Sequence, residues 1–322
     1  MRVGIVGAGI SGLAAGRTLH EAGHSVTLFE KSKAVGGRCA TRRVGDYTFD
    51  TGVTSIAPRG RSLEKWMFER LSTDELVKIE RPIHTLVGSR VSPGDSHKNR
   101  IERYCYRGGN TRLPKMLADG LDIRFESLVA RFQRTESGFE LNGEGFDALI
   151  LTPPAPQASA LLEASGESRP IQSVTYRPCL SVMLGFAQPL ETNYHALIEP
   201  EQRHPLTWLS VESAKCPDRA PEGHTAFVAQ LSPAYSRQNY DLDDAQIVID
   251  TCDYIERIYG SAWGSPVVSD VKRWRYSLPE SLSLFEKVNS NDGRLLIAGD
   301  SLLGGRVEFA FETGVQSAQR LM

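Results

Sequence analysis

No apolar run approaches the ~20 residues needed to span a bilayer, and the segment opening at Arg2 is already strand-like, so a signal peptide is not expected. The five cysteines, at 39, 105, 179, 216 and 252, are odd in number and include no C-x-x-C pair, which argues against a disulfide framework or a structural zinc. The seven histidines show no ligand spacing, so no metal site is expected. Neither sign of charge dominates: 37 Lys and Arg face 39 Asp and Glu. Without excess basic charge there is nothing to hold nucleic acid by its phosphates. Serine occurs in no G-x-S-x-G elbow, which argues against hydrolase chemistry. Internal repeats and low-complexity linkers are also missing. These absences lead to the expectation of a cytoplasmic protein without membrane or nucleic-acid partner, and they leave the oligomeric state open.

Against that background the first 38 residues stand out. Val3 to Val6 is a short apolar run suited to a buried parallel strand. It leads into Gly7-Ala8-Gly9-Ile10-Ser11-Gly12, then into a helical pattern closed by Gly23, then into a second strand, Ser25 to Phe29. The G-x-G-x-x-G spacing carries weight because strand, helix, strand and acid follow in order. Gly7 permits the tight turn, Gly9 lets backbone approach a pyrophosphate, and Gly12 permits close helix–strand packing. The N–H groups around Ile10 and Ser11 would face the phosphates. Glu30, 18 residues after Gly12 and followed by Lys31, would accept hydrogen bonds from ribose hydroxyls.

Val35-Gly36-Gly37-Arg38 resembles the pattern of FAD-containing amine oxidases and carotenoid desaturases, which implies that Gly37 and Arg38 help hold a diphosphate. At the other end, Arg294 to Asp300 reads as a buried strand meeting an acid, followed by a loop and a helix from Arg306 to Leu321. The motifs in between are Phe49-Asp50-x-Gly52, Thr152-Pro153-Pro154-Ala155-Pro156-Gln157, Trp208-Leu209, Trp274-Arg275-Tyr276 and Gly305-Arg306-Val307-Glu308. Taken together, these residues resemble the renalase-like branch of the flavin amine oxidase superfamily over nearly the whole chain.

The resemblance implies an α/β fold: a Rossmann-like FAD-binding domain of the two-dinucleotide-binding-domain flavoprotein type, with a second mixed α+β substrate domain. Residues 1–60, 108–156 and 288–322 are assigned to the first, and 61–107 and 157–287 to the second. It implies non-covalent FAD, and no cysteine follows Arg294 to serve as a flavin attachment point. Gly52 and Val53 would run under the flavin ring, with Thr54 and Ser55 on its face. Main chain near Val129 would contact the adenine. Asp300 would bond ribityl or diphosphate-side hydroxyls, and the helix end at Arg306 and Val307 would stabilise negative charge on the reduced flavin. Trp274 and Tyr276, on one face of a strand, could stack on a planar substrate.

The implied chemistry is hydride removal from a small reduced substrate, such as dihydro-NAD(P) isomers, with O2 as acceptor and no base assigned. One segment departs from the pattern: renalases continue Ala-Gln-Tyr-Phe where this chain has Val53-Thr54-Ser55-Ile56. An amine oxidase or desaturase of a biosynthetic intermediate, and a non-catalytic FAD-binding protein, are the alternatives that this change leaves open.

Overall fold

Arg2–Val6 (β1) is buried from Val3 onward because it is flanked on both sides. It pairs in parallel with Ser25–Phe29 (β2), reached through the helix Ile10–Glu21 (α1), and with a strand from the middle of the chain. The computed structural model describes residues 1–59, 61–171, 173–290 and 293–322. Its first sheet is completed by Asp122–Arg124 (β3), Ala148–Leu151 (β4) and Leu295–Ile297 (β5), in the order β5-β4-β1-β2-β3. The strand order reverses direction between β1 and β4, and such a switch point leaves a crevice at the carboxyl ends of the strands. The helix Val307–Gln319 (α2) packs on α1 closely enough that a Cβ on Gly314 would sit 2.2 Å from the Ser11 carbonyl oxygen.

The second sheet has seven strands, ordered Val268–Pro279, Tyr176–Phe186, Thr225–Leu231, Leu206–Val211, Ala196–Ile198, Ile83–Val87 and Arg90–Pro93. Arg81 to Arg100, polar and turn-rich in sequence, thus contributes an edge hairpin. The helix Asp244–Tyr259 covers this sheet with Ile247, Cys252 and Ile255 buried, and Asp243 caps it by accepting the Ala245 N–H at 2.8 Å.

Three readings of the sequence alone are corrected: a strand over Leu128 to Gln133, a single strand over Phe146 to Leu151, and a regular helix over Ser62 to Leu71. The strand expected over Leu128 to Gln133 is only Phe132–Arg134, because Glu126 takes φ 51° and Leu128 stands 66% exposed. Phe146 to Leu151 is two strands, divided at Asp147, whose carboxylate accepts the Arg2 N–H at 2.7 Å. The helix expected from Ser62 to Leu71 widens from Trp66 onward, where the Leu71 N–H reaches back five residues to the Trp66 carbonyl.

All five cysteines are buried and free. Among the described residues no helix is long and apolar enough to cross a membrane. Nor do any three His, Cys, Asp or Glu residues there gather as a metal site.

His195 supplies an acid sensitivity. Its ring is 1% exposed, with Nδ1 2.5 Å from the Arg81 carbonyl oxygen, and burial pushes its pKa down to about 4. A depressed histidine pKa means that the unfolded chain binds the proton first. The stability it supports is therefore complete above the ordinary value of about 6.5 and is lost as pH falls from there toward 4. Between pH 7 and pH 5 the loss is about 2 kcal/mol. Urea melts of wild type and His195→Gln should show the variant losing less stability over that interval.

Candidate active site

The crevice is built first from glycine. Gly7 turns out of β1 at φ +99°, with its N–H donated to the Phe29 carbonyl at 2.8 Å. A Cβ on Gly12 would lie 2.0 Å from the Gly7 carbonyl oxygen, so packing of α1 on β1 requires glycine there. Gly9 is different. Its φ of −77° suits any residue, and a Cβ there would meet no atom of the chain within 4 Å. Nothing inside the protein demands glycine at this position; the open space lies over the N-terminus of α1, which no side chain caps. Gly37, at φ +53°, borders the same space, and a Cβ on it would come 3.6 Å from the Gly9 Cα. A diphosphate fits such a cradle: uncapped N–H groups, a positive helix end and no side chain in the way.

Glu30 is buried at the end of β2. One carboxylate oxygen accepts the Ala8 N–H at 2.9 Å and the other the Ser32 N–H at 2.8 Å, which ties the glycine turn to the next loop. Each oxygen keeps a lone pair for a ribose hydroxyl. Lys31 is exposed beside it. Val129 is buried and belongs to the same hydrophobic cluster as Val6 and Phe29.

The two ends of the chain meet through Arg38 and Asp300. The guanidinium grips the carboxylate at two points, 2.6 and 2.8 Å, and also donates to the Ser277 carbonyl at 3.1 Å. Tyr176 donates its hydroxyl to the same carboxylate at 2.9 Å. Burial and the neighbouring Asp300 charge push the Tyr176 phenol up to about 12. Burial opposes the charge on Arg38, but Asp300 and Tyr176 outweigh it and hold the guanidinium above its ordinary value. Asp300 thus serves as the seam between the two sheets, with one lone pair left over on Oδ2. A Cβ on the preceding Gly299 would meet nothing within 4 Å, so the crevice stays open on this side as well.

Gly52 lies directly against Arg38, where a Cβ would come 2.1 Å from the Arg38 carbonyl oxygen. The four carbonyls of Thr51, Gly52, Val53 and Thr54 are each held by a different side chain. Trp274 Nε1 donates to the first at 3.0 Å, Gln230 Nε2 to the second at 2.8 Å, Asn110 Nδ2 to the third at 2.8 Å and Lys215 Nζ to the fourth at 2.9 Å. Thr54 and Ser55 are half-buried. Trp274 therefore lies along the Thr51–Gly52 peptide, and Tyr276 meets Tyr176 edge-on at 6.0 Å. The N-terminus of α2 closes the segment. Arg306 donates to the Ala57 carbonyl at 3.0 Å and pairs with Glu308, which accepts the Arg59 N–H at 2.8 Å; Val307 begins the helix half-buried.

Behind this segment lies a group of charges that sequence reasoning missed. Asp50, Glu212, Lys215 and Arg219 have fully buried side chains. Lys215 bonds Asp50 at 2.9 Å and Glu212 at 2.7 Å, and Arg219 bonds Asp50 at 2.9 Å. The Lys215 ammonium is opposed most by burial, yet Asp50 and Glu212 together raise its pKa above the ordinary value. In sequence, the stretch Glu212 to Arg219 is polar and gives no sign of burial.

An open, glycine-lined helix N-terminus at a sheet switch point, faced by a second sheet, is the arrangement of a dinucleotide-binding protein. Residues 5–71 match the NAD(P)-binding Rossmann-like domain, and residues 85–322, well over half the chain, match the flavin containing amine oxidoreductases. The chain belongs to the flavin containing amine oxidoreductase family, and its cofactor is FAD. Over 56 residues it is 46% identical to a 4,4'-diapophytoene desaturase (4,4'-diaponeurosporene-forming) of Staphylococcus haemolyticus and 43% identical to one of Staphylococcus aureus strain Newman. Those matches cover 17% of this chain and 11% of the curated relatives.

Similar solved structures extend over the whole chain. A protein from Exiguobacterium sp. 255-15, provisionally described as protoporphyrinogen oxidase, superposes with a TM-score of 0.84 at 16% identity over 99% of this chain and 98% of its own. Putrescine oxidase bound to putrescine gives 0.74 at 15% identity over 100% and 99%. At such identities the likeness is one of fold.

Proposed function

We propose that this enzyme is a renalase-like oxidase that takes a hydride from a small reduced planar substrate, a dihydro-NAD(P) isomer, in the cytoplasm and with O2 as acceptor. When bound, FAD supplies the hydride acceptor. Non-covalent retention falls to the chain: the N–H groups of Gly9, Ile10, Ser11 and Gly12 and the Arg38 guanidinium for the diphosphate, Glu30 for the ribose, and Asp300 for hydroxyls beyond it. Residues 1–60, 108–156 and 288–322 carry that work, and 61–107 and 157–287 the substrate side. Thr54 and Ser55 present small polar groups to the substrate, Trp274 and Tyr276 wall it in, and the α2 end at Arg306 and Val307 places a positive dipole toward negative charge.

One observation supports this reading above others. Thr51 to Ile56 carry no ionisable side chain, and Lys215, the charged group bonded to the Thr54 carbonyl, is already held by Asp50 and Glu212. The segment therefore offers no free base. A dihydropyridine yields its hydride without prior deprotonation, whereas an ammonium substrate must first lose a proton.

Anaerobic stopped-flow mixing tests the reading. The 2- and 6-dihydro isomers of NAD(P) should bleach the visible flavin band within seconds, faster than ordinary NAD(P)H, amines or polyenes. Faster bleaching by a diamine or a polyene would transfer the protein to amine oxidation or desaturation, and no bleaching by any of them would make it a non-catalytic FAD protein.

A further inference from the structure

We propose that Lys215 is a positioning residue that aims the Ser55 main-chain N–H as a hydrogen-bond donor toward the flavin ring. The inference rests on the reading that Val53 to Ser55 face the flavin, and it goes beyond that reading by assigning a donor and the residue that directs it.

The argument begins with the peptide bond. In a trans peptide the carbonyl of one residue and the N–H of the next lie on opposite edges of one plane. Fixing the Thr54 carbonyl on Lys215 Nζ at 2.9 Å therefore points the Ser55 N–H directly away from Lys215. The neighbouring amides have partners: Val53 N–H donates to the Arg38 carbonyl at 3.0 Å and Ile56 N–H to the Tyr104 carbonyl at 2.8 Å. Among the described residues, no hydrogen bond from the Ser55 N–H is found. Ser55 is half-buried and lies between Gly52, packed on the Arg38 carbonyl, and Ala57, whose carbonyl accepts from Arg306 at the start of α2.

The buried charges give the aim its stiffness. Lys215 is held by Asp50 at 2.9 Å and by Glu212 at 2.7 Å, and Arg219 fixes Asp50 at 2.9 Å. Two carboxylates and two cations balance, so the group carries no net charge toward the crevice. Its Nζ has three donors, and Asp50, Glu212 and the Thr54 carbonyl use all three. A lysine spent in this way, with its side chain fully buried, is a fixed strut. Misplacement of a site by about 1 Å can cost about a hundredfold in rate.

The test uses holoenzyme and keeps the charges balanced. Glu212→Gln/Lys215→Met removes one charge of each sign together with the donor to Thr54. Glu212→Gln/Lys215→Gln removes the same charges but leaves an amide donor. The first should reduce its flavin at least about tenfold more slowly at saturating substrate, with substrate Kd changed little and the visible flavin band shifted. The second should recover most of both. Equal behaviour of the two double variants, or a wild-type rate and band in the first, would overturn the proposal.

Hydrogen exchange in the wild-type protein needs no variant to fold. The Ser55 amide should be protected in holoprotein relative to apoprotein, and exchange equally fast in both states would also overturn the proposal. Band shape and amide exchange need no substrate. They therefore test the donor even if the dihydronicotinamide assignment fails.

Discussion

Gly9→Val is expected to give a folded, colourless protein. The position accepts a side chain without steric penalty from the chain itself, since no atom lies within 4 Å of a Cβ there and φ is −77°. The valine methyls would stand over the uncapped start of α1 and displace a diphosphate from its N–H groups. Losing one or two charge-assisted hydrogen bonds costs about 3 kcal/mol, or about a hundredfold in FAD affinity. Apoprotein melting temperature should be unchanged, and flavin absorbance after reconstitution should report the lost affinity. Gly12→Ala serves as the contrast: its Cβ would meet backbone at 2.0 Å, so it should fail in folding before cofactor binding is at issue. A Gly9→Val protein that purifies yellow with normal affinity would place the diphosphate elsewhere.

The second large effect is expected at Asp50. Its carboxylate accepts from Thr41 at 2.7 Å, from the Asn110 N–H at 2.8 Å, and from Lys215 and Arg219 at 2.9 Å each. Burial alone would raise its pKa, but the two cations and these donors hold it below the usual carboxylate range. Asp50→Ala leaves Glu212 alone with two buried cations. Stranding a buried charge in this way costs about 3–5 kcal/mol, measurable by urea denaturation of the apoprotein. Asp50→Asn combined with Lys215→Met restores neutrality and should regain most of that loss. If Asp50→Ala melts within about 1 kcal/mol of wild type, burial of these charges is not energetically strict.

The cradle was legible because its residue types answer to backbone torsion and close approach. Gly7 and Gly12 can be read from the chain since no other residue turns or packs there, and Glu30 because a strand end fixes its distance from the turn. Trp274 and Tyr276 could be placed on one strand face by their spacing, but not against Thr51 or Tyr176, since those contacts depend on how the two sheets meet. The buried charges were invisible for a related reason. Glu212, Lys215 and Arg219 sit in a short polar stretch that reads as solvated, and only the placement of Asp50 from a distant hairpin removes water from all of them. Tyr176 gives no signal in sequence, because its bond to Asp300 depends on how the strand that it begins meets the first sheet.

The Arg38–Asp300 grip joins positions 262 residues apart. During synthesis, the amino-terminal cradle leaves the ribosome long before its closing carboxylate does. The half-built crevice must wait, with its helix end bare, until the last strand slides in beside β4. Pairing over so great a separation is slow to find and contributes nothing until it is complete. A nascent chain stalled before residue 300 should therefore hold flavin poorly, and yellow colour should mark the moment at which both ends of the polypeptide have come together.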